Sequence, residues 1–394
     1  MTLNFRLLFF FLPLIIVQCK SQDDIEYTKI SFDVNKEDTL LFPYIVILGA
    51  KLKNPQNREI VLPVNFKATD SCELVFQAGL IHTIKFPMAF WGNLNGKYGV
   101  IIDVNNDNHF SKEHFYEIPS EKEAPFVRVN NIPFLSNGRF ENRTYLIQPF
   151  VSTLFGKPRN MFKYVPKYKQ GMLCLDSTTY KCALINFVDD TIYNKKGVSL
   201  IVYEKNTAIN NLNEVKYKMG DTIYFKNTIC KFEDVLGNGD SIVLKKIGAQ
   251  NKNYGPQEGQ YVFADSVHEI KKNNPICLMD KGRYTLLDFW GTWCGPCLAV
   301  IDKVHEIGTV YADKLRVVGI CYDDNRDNVL KVMKEMKIVF PTIFDARKSS
   351  VLTKKYNVSA FPTFILVDKK GLIIRRINGT DDGMKKLKEC IKNL

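Results

Sequence analysis

The sequence predicts an α/β domain in its last third, behind a longer β-rich region made of one or two β modules. Three observations carry this. Residues 285–290, Thr-Leu-Leu-Asp-Phe-Trp, form a short, mostly apolar run between turn residues, which suits a fully buried strand. Directly behind it, Leu298, Ile301, Val304 and Ile307 recur at helical spacing and make one apolar face. Between residues 23 and 248 the pattern is different: short β-patterned runs are separated by clusters of Asn, Asp, Gly and Pro, with no long amphipathic helix.

Taken from its start, the chain opens with a segment, 1–22, that fits an export signal. Arg6 is the only charge before the apolar run Leu7–Val17, which is too short for a comfortable membrane span. Ile16-Val-Gln-Cys19 resembles a lipoprotein cleavage box, with Cys19 as the lipid-bearing residue and Gln18 as a departure from it. Cys19-Lys-Ser21 also fits ordinary signal cleavage. Soluble export to the periplasm and lipid anchoring to a membrane facing it both stand at this point.

The β-rich region includes Tyr44–Leu48, Glu73–Phe76, Tyr98–Ile102, Tyr145–Phe150, Val198–Tyr203 and Ser241–Leu244. A polar stretch at 117–142 with scattered prolines suggests two modules, 23–130 and 131–248. Residues 249–259 are polar with Gly and Pro and read as a linker. The last domain then runs over 260–394. It continues with a buried strand at Leu315–Tyr322 and a helix over 326–337. A strand at Phe340–Phe344, a short helix at 349–356 and a strand at Thr363–Asp368 follow. Asp368–Gly371 is a hairpin turn leading to a return strand at Leu372–Ile377, and the last helix uses Met384, Leu387, Ile391 and Leu394.

Composition narrows the function classes. A chain of 394 residues suggests two or three domains, and 45% hydrophobic residues suffice for proper cores. Ten cysteines are too sparse for a disulfide scaffold. The net charge of +12 comes mostly from scattered lysine without interleaved aromatics, so a solvated surface is expected rather than a nucleic-acid partner. Asp103 to His109 carries oxygen side chains in a calcium-loop pattern, but Asn108 replaces the needed glycine and His114 stands where Glu belongs. Local turns are the better reading, and no metal site is expected. Cys72, Cys174, Cys182, Cys230 and Cys277 lie in or near β-patterned runs; pairing of Cys174 with Cys182 across a hairpin and buried free thiols are both open.

The chemistry is concentrated at Trp293-Cys294-Gly-Pro-Cys297. A cysteine at a helix N-terminus faces unpaired backbone N–H groups and the positive end of the helix dipole. Both favour thiolate, so the Cys294 pKa should fall from ~8.5 toward ~7 or lower, and thiolate is the species that attacks a disulfide. Cys297, one turn on, is placed to resolve the mixed disulfide. Asp288 sits in an apolar strand, where burial raises a carboxyl pKa and makes it a plausible proton acceptor for Cys297. A zinc site is disfavoured, since no second Cys-x-x-Cys or Cys-x-x-His exists.

The run Asp288 to Cys297 resembles the thioredoxin family, as does Val358-Ser-Ala-Phe-Pro-Thr363. The element order is similar to a thioredoxin core: a central mixed sheet with helices on both faces. The extra helix and strand between Asn325 and Phe344 resemble the insertion of the exported TlpA/ResA-like branch. The resemblance implies a cis Pro362 packed against a redox-active disulfide, with no separate cofactor, and a substrate-facing surface formed by Trp293, Phe361 and Pro362. It implies reduction of disulfides in exported proteins; the exported compartment in turn implies recharging by a membrane thiol–disulfide donor. Two departures stand out: Asp288 where many of that branch carry Asn, and no lysine evident in Leu315–Tyr322. Two other function classes are weighed beside it. A thiol peroxidase would want Thr or Ser where Gly291 stands. A surface or binding protein would give the main role to residues 23–248.

Overall fold

A computed structural model of the chain describes residues 27–34, 45–51, 62–78, 82–105, 109–118, 127–136, 139–152, 159–165, 168–186, 193, 197–204, 215–379 and 381–394. The segment 1–22, with Cys19, lies outside the described residues.

The C-terminal domain is built on a five-stranded mixed sheet in the order Thr342–Ala346, Leu315–Asp323, Tyr284–Trp290, Thr363–Val367, Ile373–Asn378. The central strand, Tyr284–Trp290, runs parallel to Leu315–Asp323 and antiparallel to Thr363–Val367. It is apolar nearly throughout because both faces are covered. Leu286, Val317, Phe364 and Leu366 pack beneath the helices α1 (Gly295–Val310), α2 (Arg326–Glu335) and α4 (Asp381–Lys392). On the other face Leu287, Phe289, Val318 and Ile365 pack against Leu352 of the short helix α3 (Leu352–Lys355), Tyr356 and Phe263. This is the thioredoxin-like α/β fold the sequence implies.

The expected helix over 349–356 is shorter than its pattern. Asp345, 5% exposed at the end of its strand, accepts hydrogen bonds from Ser350 Oγ (2.7 Å) and from the amides of Val351 (2.8 Å), Leu352 (3.2 Å) and Thr353 (2.7 Å). Those bonds bend the chain into the helix and spend its first amides on one carboxylate.

The N-terminal region is strand-rich, as expected, but the boundary expected at 130/131 falls inside the strand Val127–Ser136. One sheet has eight strands, drawn from Ile45–Lys51 through Arg159–Val165, with Phe115–Glu117 and Val127–Ser136 at its two edges. The other has seven: Val198–Glu204, Thr178–Asn186, Tyr168–Leu175, Tyr27–Val34, Ser241–Ala249, Thr228–Leu236 and Thr222–Tyr224. Tyr27–Val34 thus joins residues from beyond the first sheet, pairing Ser31 with Ser241 and Phe32 with Gly171. Sheet membership follows such long-range pairing, which a local polar stretch does not report.

The stretch 249–259 is also more than a linker. Gln250 Nε2 donates to the carbonyls of Phe225 and Tyr254, at 2.6 and 3.0 Å. The Gly259 amide donates to the Ile373 carbonyl, at 2.9 Å. A side-chain amide bonds the β region and a backbone amide bonds the C-terminal sheet, so a polar composition serves a packed joint.

Asp345→Ala leaves three amides without their acceptor. It should cost about 3 kcal/mol of stability, read as a lower denaturant midpoint at unchanged slope.

Candidate functional site

Asp288 occupies the middle of the central strand, in register with Gly319 and Phe364, and is 2% exposed. Side chains alternate along a strand, so it faces the same side as Leu286 and Trp290, toward the layer that holds Cys297 and α1. It has no hydrogen-bond partner among the described residues, and burial pushes its carboxyl up to about 7.

The strand ends at Trp290, and Gly291 begins the turn. A Cβ there would sit 2.5 Å from the Trp293 Nε1 and 3.0 Å from the Tyr322 carbonyl, so only glycine lets the turn close. The turn is tied down by Asp323, which accepts from the Thr292 hydroxyl (2.6 Å) and amide (3.1 Å). Asn328 Nδ2 in turn donates to that hydroxyl at 2.9 Å. Burial raises the Asp323 carboxyl, but the Thr292, Asn325 and Asp324 donors outweigh it and hold the group below its ordinary range.

Cys294 is the N-cap of α1, with Pro296 in the first turn. Its Sγ accepts from the Cys297 amide at 3.2 Å, and its carbonyl accepts from the amides of Cys297 (3.0 Å) and Leu298 (3.1 Å). Cys294 and Cys297 are joined in a disulfide, with exposures of 4% and 1%. The sulfur nearer solvent is the one that the amide faces, and Cys297 lies in the core with Val300 and Ile301.

Beside the disulfide stands an aromatic platform. Trp293 is 49% exposed and donates from Nε1 to the Tyr322 carbonyl at 3.0 Å. The Phe361 ring meets it edge-on at 5.3 Å and stacks on Tyr322 at 5.6 Å. The Phe361–Pro362 peptide bond is cis, and the Pro362 carbonyl accepts from the Gly379 amide at 3.1 Å. Arg347 lies over Trp293 at 4.6 Å and Tyr322 at 5.5 Å, and pairs with Asp324 at 3.4 Å. Sequence reading named Trp293, Phe361 and Pro362; it missed Tyr322, Arg347 and the Thr292–Asp323 tie. Tyr322 was visible as the polar-tipped end of a buried strand. Arg347 carried no signal.

The other cysteines stand apart. Cys174 opposes Thr179 and Cys182 opposes Gly171, so the two do not pair across their hairpin. Both are free thiols, Cys174 exposed and Cys182 buried, and burial drives the Cys182 thiol far up. Cys230, which is buried, and Cys277, which is exposed, are not in disulfides; the Cys72 side chain lies outside the described residues. Among the described residues no three His, Cys, Asp or Glu gather as metal ligands.

Fold and site together define a protein of thioredoxin type whose vicinal cysteine pair caps a helix. Residues 282–373 match the family model of thioredoxin-like proteins. The thioredoxin-like protein YneN of Bacillus subtilis is 30% identical over 125 residues, 31% of this chain and 72% of the relative. The thiol-disulfide oxidoreductase ResA of Bacillus thuringiensis is 31% identical over 115 residues, 29% of this chain and 65% of the relative. The solved structure of StoA from Bacillus subtilis is 25% identical, covering 32% of this chain and 96% of that one, with a TM-score of 0.29. This chain belongs to the thioredoxin-like family.

The buried Asp288 has a stability consequence whose sign is fixed. Its folded pKa, about 7, lies above the ordinary 3.8, so the folded state holds the proton longer than the unfolded state does. Stability is complete below the ordinary value and falls as pH rises toward the folded one, by roughly 1.4 kcal/mol per unit at most. Asp288→Asn should therefore match the parent near pH ~4 and exceed it by a few kcal/mol near pH ~8, measured by denaturant unfolding of the oxidised protein.

Proposed function

We propose that this protein is an exported thiol–disulfide oxidoreductase that reduces disulfides in exported proteins. The observation that carries the reading is the capping geometry. Cys294 Sγ accepts an amide at the head of α1 with Cys297 in bonding reach, an arrangement that stabilises thiolate on the outer sulfur. The relatives named above, a thioredoxin-like protein and a thiol-disulfide oxidoreductase, support thiol–disulfide exchange as the chemistry.

The reaction starts from the reduced pair. The Cys294 thiolate attacks one sulfur of a substrate disulfide; an S–S bond forms, the substrate bond breaks, and its other sulfur leaves with the electron pair. Cys297 then gives its proton toward Asp288, whose pKa near 7 suits exchange at neutral pH. The Cys297 thiolate attacks Cys294 Sγ, the second substrate sulfur leaves and takes a proton, and the Cys294–Cys297 disulfide is regenerated. Two electrons have passed to the substrate. A membrane thiol–disulfide donor would return them, since no soluble pool is implied outside the cytosol. Trp293, Phe361 and Pro362 form the face against which an extended substrate segment docks. No helix among the described residues is long and apolar enough to cross a membrane; the export signal at 1–22, with either soluble release or a lipid on Cys19, is the proposed route outward. The chemistry is assigned to residues 260–394.

Turnover of a protein disulfide should fall to the uncatalysed background in Cys294→Ala. Cys297→Ala should accumulate a mixed disulfide with substrate, visible as a reductant-sensitive band on a non-reducing gel. Parent-level turnover in the Cys294 variant would falsify the reading.

A further inference from the structure

The segment that leads from α3 into Pro362 is held at its two ends by different parts of the molecule. At the far end Phe361 is wedged between Trp293 and Tyr322. At the near end stands Asn357, in the left-handed region with φ 48°. Its side-chain amide donates at 3.0 Å to Oδ2 of Asp221, a residue of the β region. Between the pins, Ser359 and Ala360 are exposed.

Both partners of the near pin are themselves fixed. The Asp221 carboxylate also accepts from the Lys218 amide at 2.8 Å, and the Asp221 carbonyl accepts from the Phe232 amide at 2.9 Å, so the acceptor is built into its own turn and sheet. Behind Asn357, Arg376 is 2% exposed and donates to the carbonyls of Tyr356 (2.9 Å), Asn357 (3.1 Å) and Pro256 (3.2 Å). One guanidinium thus ties the joint at 249–259 to the start of the segment. Gln257 from the same joint donates to the Tyr217 hydroxyl of the β region at 3.0 Å.

We propose that Asp221 is a positioning residue for substrate docking: through Asn357 the β region sets the segment that presents Phe361 and Pro362 beside the disulfide. This rests on the thiol–disulfide chemistry proposed above and adds the β region to the docking apparatus. A loosened near pin leaves the cysteines and their helix cap untouched, so the intrinsic reactivity of Cys294 stays. What changes is the entropy lost when an extended substrate settles against an unpinned segment, which weakens binding.

The test uses the full chain, pre-reduced, with two probes: an extended peptide carrying a disulfide, and a small aromatic disulfide that needs no docking strand. Asp221→Ala removes the acceptor. Asn357→Gly removes the donor while keeping a residue at ease with positive φ. Each should raise the half-saturating peptide concentration about fivefold, with the maximal rate and the small-disulfide rate within about twofold of the parent. The double variant should be no worse than either single one, and Asp221→Asn, which keeps an oxygen for the Asn357 amide, should restore most of the loss. An unchanged half-saturation in both single variants overturns the proposal. So does a parallel fall with both probes, which would mark Asp221 as merely structural. A parent protein inert to both probes would instead strike at the disulfide chemistry itself.

Discussion

A helix must leave its first amides unpaired, and this chain spends that constraint on a sulfur. Cys294 caps α1, the Cys297 amide points at its Sγ, and the second cysteine sits where the first turn of helix puts it. Nearly everything around the site serves that placement. The central strand is buried on both faces so that its end cannot drift. Gly291 is there because a side chain would collide with Trp293 and the Tyr322 carbonyl. Thr292 and Asp323 fasten the turn from the neighbouring strand. The helix is long enough to bury Val300, Ile301, Val304 and Ile307, which anchors its N-terminus against the sheet.

The second element of the site is rigid for a different reason. Its aromatic rings are held by one another and by Arg347, whose planar guanidinium covers Trp293 and Tyr322 without removing them from solvent. A half-exposed tryptophan with its N–H already bonded offers an apolar face at small entropic cost. Asp288 is the counterweight: a carboxyl kept in an apolar layer with no hydrogen-bond partner among the described residues, tolerated because it can stay protonated near neutrality.

Much of the C-terminal domain was legible in the sequence because its information is local. A continuous apolar run placed the central strand, a period-3.6 apolar pattern placed α1, and the cysteine pair marked where one becomes the other. Pro362 was legible for the same reason, as part of a short contiguous run. Arg347 was not, since its partners, Trp293 on one side and Tyr322 and Asp324 on the other, come from two separate stretches and only the fold brings them together. The β region resisted for a stronger version of that reason. Its strands alternate convincingly, but nothing within Tyr27–Val34 says that its neighbours are Tyr168–Leu175 and Ser241–Ala249. The stretch 249–259 misled in the opposite direction: Gln250 and Gln257, with Gln260 just beyond, look like solvent-seeking residues and instead satisfy backbone carbonyls and a tyrosine hydroxyl.

The placement of Tyr27–Val34 between two late strands also dictates an order of events. A ribosome delivers this segment well before its partners, since both edges it must mate with arrive only after most of the β region has been made. Until then it is an orphan ribbon with open hydrogen-bonding edges, the kind of surface that invites mispairing with other chains. The C-terminal sheet has no such wait, because its strands all lie within the last hundred or so residues. The molecule is therefore expected to complete itself backwards, with its C-terminal domain the quicker to close and Tyr27–Val34 held back until strands made long after it are in place.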